Sequence, residues 1–279
     1  MHTKISIQGN IIEVTTMLRK SDSCPIQRIS ADEYIRLDDG EVLPFKHADN
    51  RAELSQSLYR TFRKIRAIIN SNFTGAENEL FITLTYAENM QDAERLYSDF
   101  KAFWKRFKRR YGYADYFSVA EPQARGAWHL HLLVKFLEEY APWIDNSELR
   151  ELWRHGFVNI QKVDNIDNIG AYLSAYLADA EVPLDSKEGE IKTFSDGTKK
   201  GFVKGGRLHL YPAGMNIYRC SRGIKPPVEF WATPEQEEAL TDGIALTYAN
   251  RIEFTKDDGF KQIVEKRFYN RKRSNEIHE

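Results

Sequence analysis

The segment Trp128–Phe136 reads Trp-His-Leu-His-Leu-Leu-Val-Lys-Phe, an apolar run interrupted by two histidines and a lysine. In a β-strand successive side chains alternate between the two faces. Trp128, Leu130, Leu132, Val134 and Phe136 therefore line one face, and His129, His131, Leu133 and Lys135 the other. A strand with one wholly apolar face needs a sheet whose apolar side is covered. Two imidazoles at i and i+2 on the opposite face are close enough to reach a single ion, and a carboxylate on a neighbouring strand can complete an open site. Tyr116–Ala120 reads as the antiparallel partner strand, joined by a turn containing Pro122 and Gly126, and Glu121 stands just across that turn. Vacant coordination positions are what a catalytic ion needs to polarise a substrate oxygen. Mixed imidazole and carboxylate ligation suits manganese, iron or zinc as well as magnesium, so these residues imply a divalent metal without fixing which. A cupin-type site would place its carboxylate a few residues later, where Lys135 and Phe136 stand.

Around this pair the pattern predicts alternating helices and strands. Arg51–Asn70 has a helical apolar stripe of Leu54, Leu58, Ile65, Ile68 and Ile69, and Phe81–Tyr86 is a short β-favouring run. Asp92–Tyr111 is a second amphipathic helix, with Leu96, Phe100, Phe103, Trp104, Phe107 and Tyr111 on its stripe. A helix over Ser147–Arg154, a strand over Phe157–Val163 and a helix over Ile166–Ala180, capped by Asp164 or Asp167, follow. Asp185–Gly206 is polar, contains glycine and reads as a loop. The expected class is α+β: a central, mainly antiparallel sheet flanked by helices. The expected domains are an N-terminal extension at 1–45, a main domain at 46–230 and a C-terminal extension with a basic end at 231–279.

Bulk properties narrow the partners. The chain has 279 residues and a formal net charge of −1, so global charge does not announce an anionic partner. Its basic residues are clustered, however: Arg60, Arg63, Lys64 and Arg66; Lys101, Lys105, Arg106, Lys108, Arg109 and Arg110; and Lys266, Arg267, Arg271, Lys272 and Arg273. Three such groups point toward phosphate binding. No run has the length of a membrane span, and Met1–Leu18 lacks the uninterrupted apolar core of a signal peptide, so the expected location is cytoplasmic with no membrane partner. The two cysteines, Cys24 and Cys220, lie far apart and form neither a disulfide framework nor a zinc motif. No G-x-x-x-x-G-K-[ST] sequence occurs, which argues against built-in ATP-driven unwinding.

On the helix expected from Ile166, Tyr172 and Tyr176 are four residues apart and share a face beside the stripe of Ile169, Leu173 and Leu177. A tyrosine hydroxyl, with a pKa near about 10, needs an electrophilic target or help in losing its proton. A helix presenting it to the ion site would supply both.

Three segments in order, Phe81-Ile82-Thr83-Leu84-Thr85-Tyr86, then Glu121 with Arg125-Gly126 and His129-Leu130-His131, then Tyr172-Leu173-Ser174-Ala175-Tyr176, resemble the motifs of rolling-circle replication initiators in the HUH endonuclease superfamily. The segment Gly206–Pro227, with Tyr211-Pro212, Tyr218-Arg219 and Ser221-Arg222-Gly223-Ile224-Lys225, is similar to Rep proteins of Gram-positive plasmids and mobile elements. This resemblance implies the HUH fold, an antiparallel sheet of RRM-like topology. It implies Glu121, His129 and His131 as metal ligands and Tyr176 or Tyr172 as the nucleophile, with Tyr176 slightly favoured. The implied reaction nicks and rejoins single-stranded origin DNA, hairpin-extruded or not, through a 5′-phosphotyrosyl link, and host helicase and DNA polymerase would follow. Many members carry a lysine three residues after the nucleophile; here those positions hold Ala175 and Asp179. Arg125 or Lys135 could supply the missing cation, and Lys101, Lys105, Arg219 and Arg222 are further candidate DNA contacts. A relaxase or single-strand transposase would share this chemistry. From a different class, a non-catalytic RRM-like nucleic-acid-binding protein would need no metal, but the chain lacks that fold's aromatic strand motif.

Overall fold

The computed structural model describes residues 1–19, 25–46, 55–123, 125–163, 170, 180–182, 190–193, 199–203, 207–212, 214–255 and 261–273. Strands β1 (His2–Gln8), β2 (Ile11–Met17), β3 (Ile26–Arg28), β4 (Glu33–Arg36) and β5 (Val42–Pro44) come first. Helix α1 (Ser55–Asn72), strand β6 (Glu79–Thr85), helix α2 (Ala93–Tyr111), strands β7 (Ala114–Pro122) and β8 (Trp128–Phe136), helix α3 (Asn146–Trp153) and strand β9 (Val158–Lys162) follow. The remainder comprises β10 (Ala180–Val182), β11 (Glu190–Thr193), β12 (Lys199–Val203), β13 (Tyr218–Cys220), β14 (Val228–Ala232), helix α4 (Pro234–Thr241), β15 (Leu246–Thr255) and β16 (Lys261–Asn270). The α+β class and the antiparallel sheets are those the sequence pattern implies, and they are consistent with an RRM-like fold.

The chain forms two compact units, Asn50–Pro226 and Met1–Asp49 together with Pro227–Glu279. The first is built on an antiparallel sheet of order β13-β7-β8-β6-β9. One face of it is apolar, with Leu80, Ile82 and Leu84 of β6 and Leu130, Leu132, Val134 and Phe136 of β8 all buried. Helix α2 covers this face: Phe100 and Trp104 pack on Tyr116, Phe107 on Phe136, and Phe103 on Trp153 of α3. Asp92 caps α2, its Oδ1 accepting from the backbone N–H of Glu94 at 2.8 Å and of Arg95 at 3.0 Å. Such a cap is worth about 1 kcal/mol. The helix stops where Gly112 takes a positive φ, just past a basic last turn that complements the helix dipole.

Helix α1 lies on the other face. Lys135 Nζ donates to Asn72 O at 2.9 Å, and Lys64 Nζ sits over the ring of Tyr218, which stacks on Phe117. Lys135 and Phe117 both belong to the face that carries the histidines.

The second unit has its own five-stranded antiparallel sheet, β14-β1-β2-β16-β15, and the small sheet β3-β4-β5. Thus 1–45 and 231–279, which read as separate extensions, are interleaved: β1 pairs with β14 and β2 with β16. The core of the larger sheet is Ile5, Ile12 and Val14, with Leu240 of α4 packed against them. In the region expected to be a loop, β11 and β12 pair with each other, and β12 also pairs with β10. Ala180, read as the end of a helix, instead opens β10. Short strands with glycine and lysines, such as Lys199-Lys200-Gly201, carry no alternating apolar signal and so resemble a loop in sequence. Among the described residues no helix is long and apolar enough to cross a membrane.

Candidate functional site

Strand register brings the expected ligands together. Glu121 on β7 lies directly opposite His129 on β8, and Val119 opposite His131. On the other flank of β8, Thr85 and Thr83 of β6 are opposite the same two histidines. Alternation then places Phe81, Thr83, Thr85, His129, His131 and Glu121 on one face. The hairpin joining β7 to β8 closes through Gln123 N–H to Ala127 O and Gly126 N–H to Gln123 O, both 2.8 Å. Gly126 has φ +88°, and a Cβ there would stand 2.8 Å from Gln91 Nε2, so both backbone and space favour glycine.

His131 is held on three sides. Its Nε2 is 2.5 Å from Glu121 Oε2, its Nδ1 is 3.3 Å from Thr83 Oγ1, and its ring stacks on Phe81 at 5.7 Å. With Thr83 Oγ1–H donating to Nδ1, a neutral ring carries its proton on Nε2 and donates it to Glu121 Oε2, and the two contacts fix the ring's orientation. The other carboxylate oxygen, Oε1, pairs with Arg207 Nη1 at 2.5 Å, and the same guanidinium nitrogen donates to Pro122 O at 3.1 Å. Glu121 is nearly buried. Burial pushes its pKa upward, but the His131 hydrogen bond and the charges of His131, Arg207 and His129 outweigh this and hold it below the ordinary carboxylate value. His129 differs: its Nε2 is buried and has no hydrogen-bond partner among the described residues. Burial first, then proximity to His131, push its pKa down to about 4, so it is neutral near pH 7. A neutral imidazole with an unpartnered buried nitrogen is a ligand in the form a cation requires.

Among the described residues, no three His, Cys, Asp or Glu side chains have their donor atoms gathered as around a bound ion; Glu121 is turned to His131 and Arg207. The donor set itself, one carboxylate and two imidazoles with one orphaned nitrogen, fits a divalent metal.

Tyr172 and Tyr176 lie outside the described residues, as do most of the helix expected around them and Cys24. Gly170, two positions before Tyr172, is described, and its N–H donates to Asn70 Oδ1 at 2.9 Å. A Cβ at Gly170 would come within 2.5 Å of Arg66 O, so this residue docks closely on α1, which lies on the histidine side of the sheet. Tyr86, the last residue of the first motif, is not available as a nucleophile. It is 1% exposed, its hydroxyl donates to Asp99 Oδ2 at 2.9 Å, and burial followed by that bond raises its pKa far above the ordinary phenol value.

The candidate DNA contacts separate. Lys101 and Lys105 are exposed on α2, which covers the sheet face opposite the histidines. Amphipathicity shows that a helix is packed, and it does not say on which side of a sheet. Lys135 is on the histidine face but is occupied by Asn72 O and by Glu79 at 3.2 Å. Arg125 bonds Gln123 Oε1 at 3.0 Å and Tyr86 O at 3.5 Å. Arg222 is exposed beyond β13. Arg219, over the Tyr97 ring at 3.6 Å, lines a cleft of about 540 Å3 with Thr61, Tyr116, Tyr218 and the free thiol Cys220. Exposed Arg60, Arg63 and Lys64 lie on α1, on the histidine side. In the third basic cluster, Lys266 pairs with Glu13 and Arg267 with Glu237. Sequence reading missed Arg207, Thr83 and Phe81. Only the presence of Arg207 in the Gly206–Pro227 resemblance, and of the other two in the first motif, hinted at them.

With this geometry in view, residues 79–181 match the family model for the replication-associated protein ORF2 family. The matched stretch starts at β6, takes in Glu121, His129 and His131, and runs past Tyr176. It covers well under half of the chain and is consistent with a Rep-like replication protein. Neither a curated protein nor a solved structure matches the chain.

Proposed function

We propose that this chain is a rolling-circle replication initiator that nicks and rejoins single-stranded origin DNA by tyrosine transesterification. The observation that carries the reading is the pairing of Glu121 with His131 at 2.5 Å beside the buried Nε2 of His129, which has no hydrogen-bond partner among the described residues, inside the segment that matches a replication-associated family. Glu121, His129 and His131 would hold a divalent ion, Mn2+ or Mg2+, whose contribution when bound is to polarise a non-bridging phosphate oxygen. Tyr176 or Tyr172 attacks the phosphorus. The new bond is Tyr O–P, the bond to the 3′ oxygen breaks, and the proton lost by the phenol is balanced by the one gained at the released 3′-OH. The 5′-phosphotyrosyl link keeps the phosphodiester energy, so rejoining needs no ATP.

Thr83 and Phe81 hold His131 in a single orientation, a positioning role. Arg207 stands at the carboxylate and is a candidate for the charge that the absent lysine supplies in many members. Exposed Arg63 and Lys64 of α1, with Tyr218 beneath Lys64, offer cations and an aromatic surface on the histidine side for a single strand, whereas Arg219, over the ring of Tyr97 on α2, faces the other side. Host helicase and polymerase would extend the 3′-OH.

The test is a cleavage assay on single-stranded oligonucleotides spanning candidate origins, with Mn2+ or chelator, followed by polymerase extension of the product. The reading requires extendable 3′ ends from wild type and none from the Tyr172→Phe/Tyr176→Phe double variant. Binding that persists in chelator without any cleavage would instead favour the non-catalytic RRM-like protein.

A further inference from the structure

β15 ends the sheet order β14-β1-β2-β16-β15 and, among the described residues, pairs on one side only, with β16. All ten of its residues are exposed, and Tyr248, Ile252 and Phe254 are 56%, 54% and 43% exposed. An edge of this kind offers a row of backbone donors and acceptors to another strand, and proteins ordinarily blunt it with proline, lysine or bulges. β15 contains neither proline nor lysine, and its single irregularity falls between Leu246 and Tyr248, leaving Tyr248–Thr255 in unbroken register.

This regular stretch is self-complementary. Identical strands pair antiparallel in one sheet only about a twofold axis through a residue position. An axis at Arg251 would oppose arginine to arginine. An axis at Ile252 opposes Ile252 to its copy and Arg251 to the partner copy's Glu253 twice, with Asn250 opposite Phe254 and Ala249 opposite Thr255. On the face bearing Ile252, the Phe254 ring of one copy then stands diagonal to Ile252 and to Tyr248 of the other, closing an apolar stripe across the junction. An axis at Asn250 would run into the irregularity at Leu246–Tyr248.

From these observations we infer that β15 is a homodimerisation edge, joining two copies antiparallel about Ile252 into one continuous sheet. The inference is independent of the nuclease reading. A junction of one strand with one strand is small beside the about 1,600 Å2 of a standard interface, so the expected association is weak and reversible. The test is analytical ultracentrifugation of the full chain without DNA, over about 1 to about 200 µM, for wild type, Ile252→Lys and Arg251→Glu. Wild type should pass from monomer to dimer. Ile252→Lys, which sets two ammonium groups against each other on the axis, should stay monomeric with an unchanged far-ultraviolet circular dichroism spectrum. Arg251→Glu should raise the dissociation constant on the order of tenfold or more, because two opposite-charge pairs become two like-charge pairs. A wild type that remains monomeric, or an Ile252→Lys variant that dimerises as wild type does, overturns the inference.

Discussion

The two five-stranded antiparallel sheets of this chain are put to different use. The sheet of 50–226 is packed along one face by α2 and α3 through a continuous aromatic and aliphatic core, and it carries Glu121, His129 and His131 on the other. Among the described residues, the sheet built from the chain's two ends has a small apolar core of Ile5, Ile11, Ile12 and Val14 and leaves a whole edge strand exposed. A buried carboxylate between an imidazole and a guanidinium is tolerable only where surrounding groups are held in place, since a charge that loses its partner inside a protein is costly. The well-packed sheet supplies that support: Thr83 and Phe81 come from the strand next to β8, and the apolar face beneath them is closed. The sparse sheet, by contrast, has its ion pairs at partly exposed positions and presents an edge suited to association.

The comparison can be broken most forcefully at Glu121. Glu121→Ala should abolish strand cleavage and, by removing the buried carboxylate that both His131 and Arg207 face, lower unfolding free energy by about 3–5 kcal/mol in urea titration. A loss below about 1 kcal/mol would mean that the pair is solvated and the contrast between the sheets is overstated. In the other sheet, Ile12→Ala should cost about 3–4 kcal/mol through cavity formation, yet leave cleavage at low temperature within twofold of wild type. If cleavage fell in parallel with stability, the second sheet would be part of the catalytic apparatus.

A pH dependence sharpens the contrast. His129 is neutral when folded, its pKa depressed to about 4 from the ordinary 6.5. The unfolded chain therefore takes up this proton at higher pH than the folded one. Stability from this group is complete above about pH 6.5 and is lost as pH falls toward 4, by up to about 3 kcal/mol. Glu121, with its folded pKa lowered, also contributes stability that disappears on acidification, below the ordinary carboxylate range. His129→Gln should flatten the profile between pH 6.5 and 4, and a variant with the wild-type slope would show that the titration lies elsewhere. The smallest expected effect is at the β7–β8 turn: Gly126→Ala, forced to φ +88° against Gln91, should cost about 1–2 kcal/mol and slow cleavage by misplacing Glu121 relative to His129.

Much of the first sheet was legible because its signals are local. Trp128–Phe136 alternates apart from Leu133 and is β8 with the same bounds, and the apolar stripe from Leu96 to Phe107 is the buried side of α2. The shared face of His129 and His131, and the proximity of Glu121, followed from strand geometry and a short turn. What escaped depends on contacts remote in sequence. Nothing within residues 1–45 says that β1 will pair with Val228–Ala232, and no spacing rule leads from Glu121 to Arg207. The side of the sheet on which α2 packs is likewise a tertiary choice, and it sets Lys101 and Lys105 apart from the histidines.

The most direct test of the central claim is a search for a denaturant-resistant protein–DNA adduct on single-stranded origin DNA, with Mn2+ and with chelator, for wild type, His131→Ala, Tyr172→Phe and Tyr176→Phe. The account predicts an adduct that needs the metal, disappears in His131→Ala and in one tyrosine variant, and maps by peptide mass to that tyrosine. An adduct that persists in chelator or in His131→Ala, or the absence of any adduct on DNA that the protein demonstrably cleaves, would contradict it.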